Sequence, residues 1–178
     1  MVNPFYYFLR KKNLKKYASG IKTGMIPLSA IHSAFILLDS SDDDISSCVS
    51  LINVFFHKSG IPAEIFYIDT RSRREKKNGK GTDPASTFRR KDLNLYGRLK
   101  KRRLLPLLEK KYDLYIDLTA RCDYPVSFLA CAMPARFKVG CTGIENNIFD
   151  LTVTPPSSSE CSSSELFKGI TSILSTVN

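Results

Sequence analysis

Short apolar runs recur along the chain and are separated by polar segments. Runs of this kind are typical of strands that are buried on both faces of a sheet. We predict three such strands, over 33–39, 63–69 and 113–118, and two shorter ones over 136–139 and 150–154. The heavily charged segment 86–92 predicts a weaker strand at a sheet edge.

Between these runs, apolar residues return every three to four positions, which predicts helices. The predicted helices cover about 40–59, 104–111, 123–133 and 162–177. Acidic residues 42–44 complement the first of them at its N-terminal end. Pro106 is expected in a first turn, and Ser162 with Glu165 forms a capping box before the last helix.

Strands that alternate with helices indicate a mostly parallel sheet covered on both faces. We therefore predict the α/β class: a three-layer α/β/α sandwich of five or six strands, Rossmann-like or flavodoxin-like. The length of 178 residues and the apolar fraction of 43% suit one domain with its own core. We divide the chain into a basic N-terminal helix within 1–24 and a single α/β domain over 25–178.

The N-terminal helix has two interpretations. Leu14, Tyr17, Ala18 and Ile21 share one face, so the helix can pack on the domain while its lysines extend to solvent. The alternative is contact of residues 1–21 with a membrane surface or a nucleic acid, which we favour less.

The cysteines and the hydropathy of the chain indicate its cellular compartment. The five cysteines are an odd number without the spacing of a zinc or redox motif. We find no apolar run long enough for a membrane span and no signal-peptide pattern. We therefore expect a cytoplasmic protein.

Charge is strongly segregated along the chain, whose net charge is +10. Residues 71–111 hold sixteen Lys and Arg against four acids, residues 1–24 add six bases and no acid, and the remainder has five bases and thirteen acids. A concentrated patch of one sign attracts a partner of the opposite sign. The candidate anion-binding residues are Arg73, Arg74, Arg89, Arg90, Lys91, Arg102 and Arg103.

The partner of this basic face is either nucleic acid or an acidic protein, unless the face is only solvated. Phe88 and Tyr96 lie among the bases and would permit stacking of nucleic-acid bases. No motif for sequence-specific readout is present, so we expect salt-sensitive, sequence-tolerant binding.

Three predicted strands end in aspartate, at Asp39, Asp69 and Asp117. Ligands bind at the carboxyl ends of the strands of open parallel sheets, and clustered carboxylates suit Mg²⁺. These residues are our candidate metal ligands, although aspartate after a strand is also typical of helix caps and turns. We predict no resident cofactor other than this optional Mg²⁺.

Two stretches resemble known families. Residues 88–97, together with 112–119 and 135–140, resemble a family of short, uncharacterised bacterial α/β proteins; this resemblance implies the fold and no activity. The segment 112–140 is also similar to the N-terminal half of heptosyltransferase-type glycosyltransferases, where an aspartate-bearing strand, a helix and a basic strand ending in Val-Gly follow each other. The donor-nucleotide domain of those enzymes has no counterpart here, so we do not expect that activity.

Catalytic motifs are few. Residues 78–82 do not fit a phosphate-binding P-loop, and no glycine fingerprint for a dinucleotide follows the first strand. We therefore favour a non-catalytic α/β binding domain whose basic face, residues 71–111, contacts an anionic macromolecule. The alternative is a small metal-dependent enzyme that acts on a phosphorylated substrate at the carboxyl ends of the strands.

Overall fold

The structure, a computed structural model, describes residues 4–71, 82–141, 148–154 and 162–177. The described strands are β1 (Ala34–Asp39), β2 (Ala63–Asp69), β3 (Thr87–Arg89), β4 (Tyr112–Asp117), β5 (Ala135–Cys141) and β6 (Leu151–Val153). The described α-helices are α1 (Pro4–Tyr17), α2 (Ile45–Lys58), α3 (Lys101–Glu109), α4 (Tyr124–Ala132) and α5 (Ser163–Leu174). In this part of the chain, no helix has the length and apolar character that a membrane crossing requires.

The strands form one sheet in the order β3-β2-β1-β4-β5-β6. Every pair of neighbouring strands is parallel. The order reverses between β1 and β4, which makes this pair the topological switch point of a doubly wound sheet. The predicted α/β class and its three-layer, mostly parallel architecture are confirmed.

Strand alternation gives the sheet two apolar faces. Ile36 and Leu38 of β1 pack with α2 and α5 on one face, while Phe35 and Leu37 pack with α1, α3 and α4 on the other. The ring of Phe35 stacks at 4.8 Å from Phe66 and at 5.6 Å from Tyr115, centroid to centroid. Removing a fully buried ring of this kind costs about 3–5 kcal/mol.

Several elements differ in their bounds from the sequence prediction, and for two of them the local cause is clear. Strand β3 lies at the sheet edge as expected, but it ends at Arg89, because the Asp92 carboxylate accepts the Arg89 backbone N–H at 3.0 Å and residues 90–92 turn as a 3-10 helix. Helix α3 begins at Lys101, three residues early, since the carbonyl of Lys100 accepts the Leu104 N–H at 3.1 Å. Pro106 therefore lies inside α3 and not in its first turn.

The cap predicted for α5 is observed, while Asp42, predicted beside α2, also binds the start of α5. Ser162 accepts the Glu165 N–H at 3.3 Å, so the start of α5 is confirmed. Asp42 binds two helices: one carboxylate oxygen accepts the Asp44 N–H at 2.9 Å beside α2, and the other accepts the backbone N–H of Ser163 at 3.0 Å. The loop between β1 and α2 is thus tied to the N-terminus of α5.

Helix α1 packs against α4 on the face it shares with α3. The Tyr17 ring meets Phe128 edge-on at 5.7 Å between centroids, and the Arg98 guanidinium lies 4.5 Å from the centre of the Tyr17 ring. Arg10 Nε donates to the Tyr96 carbonyl at 3.3 Å. Leu14 and Tyr17 pack against the domain as predicted, while Ala18 and Ile21 lie beyond the end of α1 at Tyr17 and do not share its face. The division of the chain at residue 24 stays a prediction.

Candidate functional site

The three strand-ending aspartates lie at the same edge of the sheet. In the strand register, Asp39 is beside Ile68, Asp69 is beside Arg89, and Asp117 is beside Leu37. By strand alternation, Asp39 and Asp117 belong to the face covered by α1, α3 and α4, while Asp69 belongs to the opposite face. All three carboxylates thus share one edge of the sheet, but they do not share one face.

Arg121 connects the ends of β1, β2 and β4. One of its guanidinium nitrogens donates to Asp39 at 2.9 Å, and the other donates to Thr70 Oγ1 at 2.7 Å and to Asp123. Burial alone would lower the pKa of Arg121, but its hydrogen bond to Asp39 and the charge of Asp123 raise it. Arg121 thus closes the edge as a charged link.

Sequence analysis missed Arg121 because this residue lies outside the basic segment 71–111. The signal that would have found it is a single base placed between the strand-ending Asp117 and the helix-capping Asp123. Since both acids belong to the switch-point loop, an arginine between them has carboxylate partners within reach.

Asp69 also has a cationic partner. Arg71 Nε donates to its carboxylate at 3.1 Å, and an Arg71 terminal nitrogen donates to Ser40 Oγ at 3.4 Å. Two of the three predicted metal ligands, Asp39 and Asp69, are thus ion-paired with arginine.

Asp117 is the exception. It is 2% exposed, and one of its oxygens accepts the N–H and the hydroxyl of Thr119 at 2.9 and 2.7 Å. The other oxygen, Oδ2, is buried and has no hydrogen-bond partner among the described residues. Burial raises the pKa of Asp117 to about 6, against the opposing bonds from Thr119. A buried carboxyl of this kind is typical of functional positions in enzymes and binding sites.

The arrangement offers no support for the metal site. Within the part of the chain that the structure describes, no three His, Cys, Asp or Glu side chains are grouped to hold a metal ion. Asp39, Asp69 and Asp117 as ligands of Mg²⁺ stay a prediction.

A cavity of about 390 Å³ opens at the switch point between the ends of β1 and β4. It is lined by acids and hydroxyls, with Ala120 in a left-handed conformation at φ 51°. The lining residues are Asp39, Ser41, Asp42, Asp43, Asp44, Leu118, Thr119, Ala120 and Ser162. Its acidic lining disfavours an anion.

A second cavity, of about 350 Å³, lies beside the edge strand β3 and the start of α3. Its lining has four cations and one acid, and we call it the basic cradle: Pro84, Arg89, Lys91, Asp92, Arg102 and Arg103. Arg89 is the last residue of β3 and lies beside Asp69 in the strand register. The basic cradle therefore lies at the same carboxyl-terminal edge of the sheet as the aspartates.

Local contacts hold part of the basic cradle in place. Arg103 donates to the carbonyls of Ala85 at 2.7 Å and Thr87 at 3.2 Å, and its guanidinium lies 5.5 Å from the centre of the Phe88 ring. The buried Asp92 is 3.4 Å from a guanidinium nitrogen of Arg102, whose side chain is 68% exposed. Arg103 is therefore held in place in the absence of a partner, while the Arg102 side chain extends into solvent.

The basic cradle contains four of the seven predicted anion-binding residues. Arg90 is exposed and adjacent in sequence, while Arg73 and Arg74 lie outside the described residues. The expectation that Phe88 stacks on nucleic-acid bases is wrong: Phe88 is 1% exposed, because it packs on Phe66 beneath Arg103.

Comparison with known proteins adds the family. No curated protein and no solved structure matches the chain. A family model described as a family of unknown function, DUF6913, matches residues 6–173. This match confirms the resemblance to an uncharacterised family, while the similarity to heptosyltransferases stays a prediction. The chain belongs to the DUF6913 family.

Proposed function

We propose that the protein is a non-catalytic binding module that contacts nucleic acid through its basic face, residues 71–111. The observation that carries this proposal is the basic cradle, in which Arg89, Lys91, Arg102 and Arg103 surround one cavity. Arginine is suited to phosphate because its planar guanidinium forms two parallel hydrogen bonds to phosphate oxygens.

Helix α3 gives a second reason to expect an anion. Its first turn carries Lys101, Arg102 and Arg103, it has no acid there, and Lys100 provides no side-chain cap. The N-terminus of a helix is already electropositive, so three cations at this point repel the helix dipole as well as each other. An anionic partner relieves this repulsion on binding.

The test is a salt titration of binding. A single-stranded oligonucleotide with a 5′-phosphate and a fluorescent label at its 3′ end is titrated with the protein, and anisotropy gives the affinity. We expect binding at low salt that weakens steeply as NaCl rises, because phosphate contacts release counterions. No binding at low salt would contradict the proposal and leave an acidic protein as the partner.

The matched variants remove equal charge from two surfaces. Lys91→Gln with Arg102→Gln changes two exposed cations of the basic cradle, and Lys58→Gln with Lys168→Gln changes two exposed lysines on α2 and α5. The first pair should reduce the slope of log affinity against log salt by about 1.4, which is two phosphate contacts on a single strand. The second pair should leave the slope near the native value, and equal effects would refute the assignment to the basic cradle.

The alternative function is a small metal-dependent enzyme that acts on a phosphorylated substrate at the carboxyl-terminal edge. The unpartnered Oδ2 of Asp117 favours it. A metal that binds only the folded chain raises the melting temperature, so Mg²⁺ should stabilise the native protein and not Asp117→Asn. A flat response of the native protein would count against this function.

A cytoplasmic location and membrane-surface contact by residues 1–21 remain proposals. The packing of Leu14 and Tyr17 against the domain leaves fewer apolar side chains of α1 for a bilayer, which favours nucleic acid over lipid.

A further inference from the structure

The basic cradle has a concave shape that a continuous nucleic-acid backbone does not need. Its cavity of about 350 Å³ is near the lower end of the size range of small-ligand pockets. A backbone that tracks across a protein surface is met by a groove or by scattered cations. A concave set of cations is better matched to a single group that enters it.

Two arginines of the basic cradle have a donor that no described residue satisfies. The Nε atoms of Arg89 and Arg103 are buried, and neither has a hydrogen-bond acceptor among the residues that the structure describes. Both side chains line the basic cradle. An unsatisfied buried donor is costly, so these two side chains keep hydrogen-bonding capacity that the described residues do not use.

The net charge of the cavity lining indicates the charge of the ligand. Four cations and the single carboxylate of Asp92 line the cavity, which leaves a formal excess of three positive charges. A phosphate monoester carries a charge of about −1.5 to −2 at neutral pH and three terminal oxygens. A phosphodiester within a strand carries one negative charge and two such oxygens, and its two flanking sugars hinder entry.

We propose that the basic cradle binds a terminal phosphate group, so that the protein holds a nucleic acid by its phosphorylated end. This inference rests on the proposed function, and it names the part of the nucleic acid that the basic cradle recognises. Arg103, which the carbonyls of Ala85 and Thr87 hold, and the half-buried Arg89 form the inner side of the basic cradle. Lys91 and Arg102 are its exposed cations.

The experiment compares two oligonucleotides that differ only at the 5′ end, one with a phosphate and one with a hydroxyl. We expect the phosphorylated strand to bind about tenfold more tightly or better, as charge-assisted hydrogen bonds allow. At equal ionic strength, inorganic phosphate should displace a larger fraction of the phosphorylated strand than sodium chloride does.

The variants make the result specific. Lys91→Gln with Arg102→Gln should abolish the preference for the 5′-phosphate, while Lys58→Gln with Lys168→Gln should retain it. Circular dichroism checks that each variant is folded. Equal affinity for both ends, with steep salt dependence, would overturn the terminal-phosphate site and leave the proposed function intact, whereas no binding of either strand would overturn both.

Discussion

At the scale of single residues, Asp117 is the side chain whose burial most clearly lowers the stability of the fold. The carboxyl is buried at the end of β4, beside the switch point, and its Oδ2 has no partner among the described residues. Proteins keep such groups at functional sites despite the loss of stability. Arg121, by contrast, satisfies Asp39 and Asp123 and so stabilises the same edge.

The pH dependence of stability follows from the pKa of Asp117, which burial raises from 3.8 to about 6. Between these values the folded chain holds a proton that the unfolded chain has released. The free energy of unfolding therefore falls as pH rises through this window, by at most about 3 kcal/mol. Asp117→Asn keeps an oxygen for Thr119 and has no charge to bury, so it should be more stable than the native protein at about pH 7.5.

Thermal melts at two pH values check this expectation. The stability gain of Asp117→Asn should be large at about pH 7.5 and small at about pH 4.5, where the native carboxyl is mostly protonated. Glu165→Gln, which changes an exposed acid on α5, serves as the control and should show no such difference. A gain that is equal at both pH values would contradict a protonated Asp117 in the folded chain.

At the scale of elements, the contact between α1 and α4 decides whether the N-terminal helix is part of the domain. Tyr17 lies between the Phe128 ring and the Arg98 guanidinium. Tyr17→Ala should lower the free energy of unfolding by about 2 kcal/mol and raise the rate of amide hydrogen exchange within α1. Tyr17→Phe keeps the ring and should change both little; equal protection of α1 in the two variants would contradict docking through this residue.

The sequence was informative about elements to the extent that their signals are local. The apolar run of β2 predicted both ends of that strand, and the capping box of α5 predicted the start of that helix to within one residue. Burial on both faces and a cap each depend on neighbours along the chain. Asp92 ended β3 early by turning its carboxylate back to the Arg89 N–H. The first turn of α3 carries three cations, no acid and no side-chain cap. The usual sequence signals of a helix start are therefore missing, and the pattern could not locate its first residue.

Long-range partners were beyond the sequence. Lys138 lies in β5 and is 3% exposed, and its ammonium donates to the Ala130 carbonyl at 2.7 Å at the end of α4. Burial lowers its pKa to about 8. Nothing in a strand pattern tells a lysine that caps a helix from one that reaches solvent. The same limit applies to Asp42, whose bond to Ser163 spans most of the chain.

At the scale of the whole molecule, segregated charge makes the stability depend on salt. Residues 71–111 hold sixteen bases and four acids. Cations that line one cavity lie within about one Debye length, about 10 Å at moderate salt, of each other. Repulsion within the basic face should therefore outweigh the longer-range attraction when salt is low.

Sodium chloride should consequently raise the melting temperature between about 20 and about 200 mM, because screening weakens the repulsion within the basic face. Lys91→Gln with Arg102→Gln removes two of the crowded cations and should melt higher at low salt with a smaller gain on salt addition. Lys58→Gln with Lys168→Gln removes equal charge elsewhere and should keep the native gain.

A comparison of phosphate with chloride at the same ionic strength separates binding from screening. If phosphate stabilises the native protein more, and Lys91→Gln with Arg102→Gln loses that excess, the repulsion is relieved by binding as well as by screening. A melting temperature that falls as salt is added would show instead that attraction between the acidic and basic parts of the molecule dominates its electrostatics.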